Sequence, residues 1–464
     1  MTFQDPRFYL FFALTWGLWA LLRPAQRPGA LLAASLLFYA SFGKPVLWVA
    51  LGLCAGGSWS LAPRIAVGAQ ARERWLGLGI LLNLGVLASL RFGASVQPGF
   101  FTTLGVSYFS LQAIAYLCDV YFERQAPERS LGRVTLFLAF FPKLVQGPFE
   151  RCQGLLNEID AGSRSIDLER LRAGLLLLAW GLFQKAVVAD RAAVGVDHLF
   201  AHLEGGRFFD LLLAAPLFTL QLFADFSGYT DMALGAALCF GVQMHANFAQ
   251  PFLATSIADF WRRWHASFSD WIRDYLFEPL QMAFRGMAVA GTALALFLSF
   301  SLVGLWHGTG AGYLCFYLAH ASLLSLAVFW RPWQKKLWKA LGLEKSAWQR
   351  WWRTLVILAV TIALNLVFRA ADLKGLKLLA GVRAGSWDAA RASLEGLYNA
   401  MGCVDAAVCA LGVLAMVVVS LLSSRIELLK APLWLRWTAY ASLALGLLFL
   451  GRYFGARQFI YAQF

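Results

Sequence analysis

Two histidines in short aromatic motifs are the residues best suited to carry out chemistry. His265 ends the motif FWRRWH, and His307 lies in the motif GLWHG about forty residues later. No charged side chain occurs between Gly286 and Trp330, so His307 lies in an apolar run long enough for two membrane crossings of about 20 residues each. An ionisable group at that depth is costly, and function is the usual reason for keeping it.

An imidazole with its ordinary pKa of about 6.5 can accept a proton from a hydroxyl near neutral pH. His307 could therefore activate an alcohol toward a thioester, with Trp306 and Gly308 shaping the wall around it. The glycines that follow His307 allow backbone to approach another group closely. His265 could orient the donor or support His307, and a structural hydrogen bond is an equal alternative.

The other four histidines are expected to be less important. His198 and His202 fall in a predicted polar loop, His245 follows a span, and His320 is isolated within a span.

The residues around His265 form an amphipathic pattern. Between Ala258 and Leu276, aromatic residues that include Trp261 and Trp264 recur at three- and four-residue spacing, with charged residues on the other side. This pattern predicts a helix at the membrane interface that turns His265 inward. Its basic residues could attract an anionic donor, but binding of the helix to anionic lipid is favoured. These residues are Arg262, Arg263 and Arg273.

A polar segment, DFSGYTD, follows the predicted span that begins near Phe208. It could be a polar patch beside a reaction path, or it could form an ion pair with Arg262 or Arg263 that fixes the interfacial helix. The ion pair is favoured. The candidate residues in this segment are Asp225, Ser227, Tyr229 and Asp231.

Composition excludes an ordinary water-soluble enzyme. Of the 464 residues, 59% are hydrophobic and 14% are charged, and the mean hydropathy is +0.61. The net charge of +14 is assigned to basic residues that flank spans. Nucleic-acid binding is not predicted, because the sequence lacks a basic run interleaved with exposed aromatic residues. The seven cysteines have no metal-ligand spacing, so no metal site and no disulfide framework is predicted.

The expected fold is an all-α, multi-pass membrane protein with about eleven spans in one domain, residues 1–464. The first segment is interpreted as a retained span. Two segments, Met232 to Val242 and Val134 to Val145, are interpreted as re-entrant or broken elements, the latter because Pro142 interrupts it. Apolar windows predict spans over residues 8–22, 31–42, 46–56, 76–90, 104–121, 171–188, 208–223, 288–306, 310–330, 351–368, 406–422 and 433–450, some of them too short to cross alone.

Several motifs between residues 104 and 321 together resemble the membrane-bound O-acyltransferase family, in its bacterial branch of polysaccharide O-acetylases and teichoic-acid D-alanyltransferases. The motifs are GVSYF, FPKLVQGP, GLFQK, DFSGY, NF with QP two residues later, FWRRWH and GLWHG, in this order. Residues 104–321 are therefore expected to form the catalytic core.

This resemblance implies a bundle of about eleven spans around a tunnel or funnel, with interfacial and re-entrant helices. It implies His307 as the principal catalytic residue and His265 as the second, with Asn247 and Gln250 among the supporting residues. The donor would be a cytoplasmic thioester, either acetyl-CoA or an acyl-carrier protein, with no bound cofactor. The acceptor would be an exported polysaccharide such as alginate, reached with a periplasmic or extracellular relay protein from the bacterial inner membrane.

The function expected is transfer of an acetyl group toward polysaccharide hydroxyls, with His307 as general base or as the residue that handles the acyl group. D-alanyl or other acyl transfer to teichoic acid, peptidoglycan or another envelope acceptor is the alternative enzyme. A transporter would need paired interruptions in two related halves, which the sequence lacks. A non-catalytic scaffold for a polysaccharide synthase would tolerate His307→Ala.

Overall fold

The computed structural model describes residues 1–67, 71–96, 105–202, 208–308, 310–382, 386–423 and 428–453. Leu104 and Thr309, which belong to predicted segments, lie outside the described residues. In the described part of the chain the only pairing of strand type is an isolated bridge between Phe248 and Trp264. The prediction of an all-α fold is confirmed.

The helices are α1 (Pro6–Leu21), α2 (Arg27–Ala40), α3 (Pro45–Val67), α4 (Arg72–Val96), α5 (Val106–Tyr121), α6 (Leu131–Ala139), α7 (Phe141–Leu144), α8 (Cys152–Gly162), α9 (Leu168–Phe183), α10 (Asp190–Ala201), α11 (Phe208–Cys239), α12 (Ile257–Arg263), α13 (Ala266–Ile272), α14 (Glu278–Ala283), α15 (Ala288–His307), α16 (Ala311–Ala340), α17 (Ala347–Ala370), α18 (Leu373–Ala380), α19 (Trp387–Ser423) and α20 (Leu433–Leu450). The helical path of α19 is interrupted at Gly402, which has a φ of 72°.

Length and composition make this a membrane protein. Within the described residues, nine helical segments are long and apolar enough to cross a bilayer. α1, α2 and α5, which cover other predicted spans, have 16, 14 and 16 residues. Large apolar side chains are exposed on the long helices, as expected for surfaces in contact with lipid; examples are Leu421 in α19 and Phe449 in α20.

Two predictions about broken elements have different outcomes. The interruption near Pro142 is present: α6 ends at Ala139, α7 begins at Phe141, and the backbone N–H of Phe141 donates to Ser35 Oγ at 3.1 Å. The prediction for Met232 to Val242 was wrong, because α11 continues to Cys239. A helix of 32 residues spans the bilayer with turns to spare, so this apolar stretch needs no crossing of its own.

The chain divides into two compact units. The first unit contains Met1–Leu182, Gly228–Ala246 and Ala431–Ala444. The second unit contains Phe183–Ser227, Asn247–Lys430 and Leu445–Phe464, and therefore both candidate catalytic histidines. A single domain over residues 1–464 stays a prediction.

Candidate active site

His307 is the last residue of α15, a helix without charged side chains. Its side chain is buried, and its ring is stacked on that of Tyr317 with the centroids 4.9 Å apart and the planes 21° apart. Phe368, near the end of α17, meets the His307 ring edge to face at 5.8 Å. Three consecutive spanning helices therefore fix this imidazole.

Tyr317 also makes a hydrogen bond to the histidine. Its phenol oxygen lies 2.5 Å from His307 Nε2, and both side chains are buried. If Nε2–H donates to the phenol oxygen, the lone pair of the neutral imidazole is on Nδ1, the atom that could then accept a proton. The contact therefore sets both the orientation and the tautomer of the ring, which are properties that a general base needs.

The glycines after His307 permit close packing, as the sequence predicted. A Cβ atom on Gly310 would lie 2.2 Å from the backbone oxygen of Ala371, and one on Gly312 would lie 2.8 Å from the same residue. The backbone N–H of Gly312 donates to that oxygen at 2.8 Å. A Cβ on Gly308 would lie 2.6 Å from the ring of Tyr313. Only glycine fits these positions without a shift of backbone or ring.

His265 lies at a break in what was predicted as one helix. α12 ends at Arg263, α13 begins at Ala266, and His265 has a left-handed conformation with φ 45° and ψ 52°. A single interfacial helix over Ala258 to Leu276 was therefore wrong. The inward direction of His265 is present, since this side chain is buried.

Asn247 holds this break in place. Its backbone oxygen accepts from Ala266 N at 2.9 Å, and its side-chain oxygen accepts from Ser267 Oγ at 2.5 Å. The bridge between Phe248 and Trp264 continues the same pairing. A non-glycine residue in left-handed conformation costs energy, and these bonds compensate for it. Asn247 thus stabilises the backbone at His265, and a role in the reaction stays a prediction.

The two histidines share one aromatic neighbour. The ring of Phe268 lies 5.1 Å from that of His265 and 6.4 Å from that of His307, and it also packs on Trp306 at 4.7 Å. The structure therefore brings both predicted histidines, with Trp306, into one aromatic cluster. Phe226 closes the other side of His265 at 4.7 Å.

Burial lowers the pKa of His265 to about 3, well below its ordinary value of 6.5. The ring is thus neutral at physiological pH. A neutral imidazole can orient or hydrogen-bond another group, but it offers no fixed positive charge to an anionic donor.

Trp261 links the cluster to a third buried histidine. Its indole N–H donates to His320 Nδ1 at 3.3 Å, and its ring lies 5.9 Å from that of Tyr317. Because His320 Nδ1 accepts this bond, its neutral ring carries the proton on Nε2. The expectation that His320 is isolated was wrong, since Phe260 and Phe316 also pack on it.

Asp225 is paired with Lys185 rather than with the arginines of α12. The Lys185 ammonium lies 2.7 Å from Asp225 and 2.8 Å from Asp190, and each of the three side chains is 2% exposed. Ser227 Oγ donates to Gln184 Oε1 at 2.5 Å, which joins the same two segments again. The predicted pairing of Asp225 with Arg262 or Arg263 was therefore wrong: the ion pair connects the GLFQK and DFSGY motifs through one turn of π-helix, Gln184–Ala189.

The basic residues near His265 are engaged locally. Arg263 and Arg262 contact Asp259 at 3.0 and 3.4 Å. Arg273 contacts Asp270 at 2.6 Å and Asp274 at 2.8 Å. Asp259 has a lowered pKa: burial alone would raise it, but hydrogen bonds from the Thr255 backbone and Arg263 outweigh that effect. These pairs fix short helices, and binding of the arginines to anionic lipid stays a prediction.

Four predicted residues have other surroundings. Gln250 Nε2 donates to the backbone oxygen of Ser420 at 2.8 Å and so anchors a loop to α19. Tyr229 and Asp231 belong to the first unit, where the ring of Tyr229 packs on Phe3 at 6.0 Å. Trp264 is buried against Phe260, with stacked rings 5.6 Å apart.

Sequence reasoning missed Tyr317, Phe268 and Lys185. The GLFQK motif contained Lys185, and a cation within an apolar segment needs a charged or polar partner, which was the available signal. Tyr317 and Phe268 carried no comparable signal, because ordinary aromatic residues are frequent throughout this chain. Among the described residues, no group of three or more His, Cys, Asp or Glu is arranged to hold a metal ion.

Comparison with known families gives one matching model. Residues 130–368, which include both histidines and Tyr317, match the model described as MBOAT, the membrane-bound O-acyltransferase family. This match covers just over half of the chain.

Relatives from bacteria extend the similarity. The protein named probable alginate O-acetylase AlgI of Pseudomonas syringae pv. tomato is 32% identical over 420 residues, covering 84% of this chain and 77% of the relative. The peptidoglycan O-acetyltransferase of Helicobacter pylori is 30% identical, covering 64% of this chain and 63% of the relative. The teichoic acid D-alanyltransferase of Bacillus subtilis is 28% identical, covering 56% of this chain and 65% of the relative.

Proposed function

The chain belongs to the membrane-bound O-acyltransferase family and is a membrane acyltransferase; from this premise we propose that it moves an acetyl group from a thioester to an acceptor hydroxyl on the way to a polysaccharide, with His307 as general base. The contact of Tyr317 with His307 Nε2 is the observation that carries the proposal, because it orients a buried imidazole. The resemblance seen in the sequence supports the same residue.

The proposed step balances as an ordinary acyl transfer. The acceptor hydroxyl gives its proton to His307 as its oxygen attacks the thioester carbonyl, and a new C–O bond forms. The C–S bond then breaks, and the leaving thiolate takes the proton from the imidazolium. Such proton transfer contributes typically about 10²- to 10⁴-fold to the rate.

Trp306 is a candidate to stabilise the charge that develops on the carbonyl oxygen. Its indole Nε1 is buried and has no hydrogen-bond partner among the described residues. The indole ring is 4.6 Å from that of His307. A buried N–H without a partner is costly, and a bound acyl carbonyl would satisfy it. His265 would help to shape the same pocket through Phe268.

For the donor, we propose acetyl-CoA, presented at the cytoplasmic side of the inner membrane, with no bound cofactor. For the acceptor, we propose an exported polysaccharide such as alginate, with a periplasmic relay protein that completes the transfer. The higher identity to relatives named as O-acetylases than to the D-alanyltransferase supports acetyl over D-alanyl transfer.

The test uses membranes that contain the wild type, His307→Asn or the control His202→Gln, matched for the amount of folded protein. His202 is exposed at the end of α10, so its replacement leaves the aromatic cluster intact. Transfer from radiolabelled acetyl-CoA into polysaccharide and protein fractions is measured in the presence of a periplasmic extract. We expect label in the wild type and control, and at least about 10²-fold less in His307→Asn.

Equal labelling by all three proteins would overturn the role of His307 and favour a scaffold. A second arm replaces acetyl-CoA by a D-alanyl carrier protein. Incorporation of D-alanine but not of acetate would overturn the proposed donor and keep the acyltransferase assignment.

A further inference from the structure

A large cavity lies beside α12, away from His307. It has a volume of about 970 Å³, and residues of α12, α15, α16 and α17 line it. Its lining, all within the described residues, includes neither His307 nor Tyr317. The cavity therefore lies outside the aromatic cluster of the candidate active site and calls for a separate explanation.

One part of the cavity is cationic. Arg262, Arg331 and Arg353 line it, and Asp259 is its one acidic lining residue. That carboxylate is 3.0 Å from Arg263, outside the lining, and 3.4 Å from Arg262, so Arg331 and Arg353 carry the excess charge. Arg353 donates through Nε to the backbone oxygen of Thr255 at 2.9 Å, and within the described residues neither Arg331 nor Arg353 forms an ion pair. The lining thus has an excess of positive charge that suits a phosphate.

The rest of the cavity is apolar. Leu323 on α16 lies eight residues before Arg331, and Val360 on α17 lies seven residues after Arg353. At about 1.5 Å per residue, these walls extend roughly 10 to 12 Å from the arginines along the helices. A ligand that fills the cavity therefore has a charged head and a hydrocarbon tail.

Tryptophans place the arginines at the level of lipid headgroups. Trp330 and Trp352 line the cavity next to Arg331 and Arg353, and they are 60% and 50% exposed. Exposed tryptophans of spanning helices concentrate at the membrane–water boundary, and clustered basic residues favour the cytoplasmic side. Anionic lipids are enriched in that leaflet and are bound by basic pockets between helices.

We propose that this cavity is a binding site for an anionic phospholipid. The arginines hold the phosphate, and one acyl chain lies along Leu323, Leu326 and Val356 between α16 and α17. α12 contributes Arg262 to the site and ends just before His265. The bound lipid therefore stabilises the position of the helix that precedes this histidine.

The test uses the full chain, purified in detergent, with phosphatidylglycerol or phosphatidylcholine added in mixed micelles. Binding is measured by native mass spectrometry and by the rise in apparent Tm. The cavity variant is Arg331→Gln with Arg353→Gln. The control is Lys335→Gln with Lys339→Gln. It removes two exposed charges from α16, the helix that contains Arg331, but none from the cavity lining.

We expect the wild type and control to bind one phosphatidylglycerol in preference to phosphatidylcholine, and the cavity variant to bind it about 30-fold more weakly. A third variant, Leu326→Trp, keeps all charges and should block the acyl chain, with the same loss. Circular dichroism confirms that each variant is folded.

Three results would overturn the proposal. Equal weakening by the cavity and control pairs would mean general attraction to a basic surface. Binding of both lipids with equal affinity would show that the cavity does not recognise the net negative charge of the lipid. Displacement of phosphatidylglycerol by coenzyme A at micromolar concentration, with the same loss in the cavity variant, would assign the cavity to a soluble phosphate ligand instead.

Discussion

The phenol oxygen of Tyr317 lies 2.5 Å from His307 Nε2, and the two rings are stacked. Tyr317 belongs to α16 and His307 ends α15, so the contact spans the break between two membrane helices. The orientation of the imidazole thus depends on one hydroxyl from the following helix.

Replacing Tyr317 by Phe should keep the stacking and remove the hydrogen bond. We expect kcat to fall about 10- to 100-fold with little change in KM, since the loss of a bond to the base affects the chemical step at about 1.5 to 3 kcal/mol. Acyl transfer at saturating donor measures this effect. Tyr398→Phe, at an exposed position of α19, is the matched control. Unchanged kcat in Tyr317→Phe would show that the phenol does not orient the base.

Lys185 should be more important for stability than either of its carboxylate partners. Its replacement by Met removes the ammonium that contacts both buried carboxylates, Asp190 and Asp225, and breaking such a pair costs about 3 to 5 kcal/mol. Asp225→Asn leaves one ammonium with one carboxylate and should cost less. Apparent Tm, followed by tryptophan fluorescence, gives the order of stability of the two variants. Lys335→Met, at an exposed position, is the control. The opposite order would contradict the charge argument.

His265 should make the protein sensitive to acid. Its folded-state pKa of about 3 lies below the ordinary value of 6.5, so between these values the unfolded chain binds a proton that the folded chain does not. The contribution of His265 to the free energy of unfolding is full above pH 6.5. Below that pH it falls by about 1.4 kcal/mol per pH unit.

His265→Gln lacks this proton and should lose less stability than the wild type between pH 7.5 and 4.5. Apparent Tm is measured in detergent at matched pH values. The comparison isolates the contribution of His265 to the pH dependence, because His307 and His320 are present in both proteins. Parallel curves for the two proteins would show that His265 is not held neutral.

Gly312→Ala should disturb the active site through the backbone of Ala371. The new methyl group would lie 2.8 Å from that backbone, and overpacking costs about 1 to 3 kcal/mol. We expect lower apparent Tm together with reduced acyl transfer. Gly286→Ala is the control, because a Cβ there meets nothing within 4 Å. Equal apparent Tm and equal acyl transfer in the two variants would contradict the close approach of Gly312 to the backbone of Ala371.

The sequence predicted the spanning helices and the inward direction of His265 because apolar runs and helical spacing are local properties. It did not predict that Asp225 pairs with Lys185, since about forty residues separate them and any cation nearby in sequence was an equal candidate. The break at His265 escaped prediction for a related reason: its left-handed conformation depends on bonds to Asn247, whereas the aromatic spacing continues through it.

The placement of the other histidines shows the same limit. His198 lies within α10, so the predicted loop was wrong at this residue, whereas His202 directly follows the helix. Polar residues suggested a loop, but Gly195 packs closely on Leu217 and stabilises the helix by tertiary contact. His320 appeared isolated because the sequence places no polar group beside it, whereas its partner, Trp261, precedes it by 59 residues.

The close approach of Gly310 and Gly312 to Ala371 has a consequence for biosynthesis. His307 is followed within a few residues by a turn that docks on the end of α17, and Phe368 from the same end packs on the imidazole. A nascent chain that has inserted only α15 and α16 therefore lacks one wall of the pocket around His307. The surroundings of this imidazole are complete only after translation has passed residue 371 and α17 has entered the bilayer.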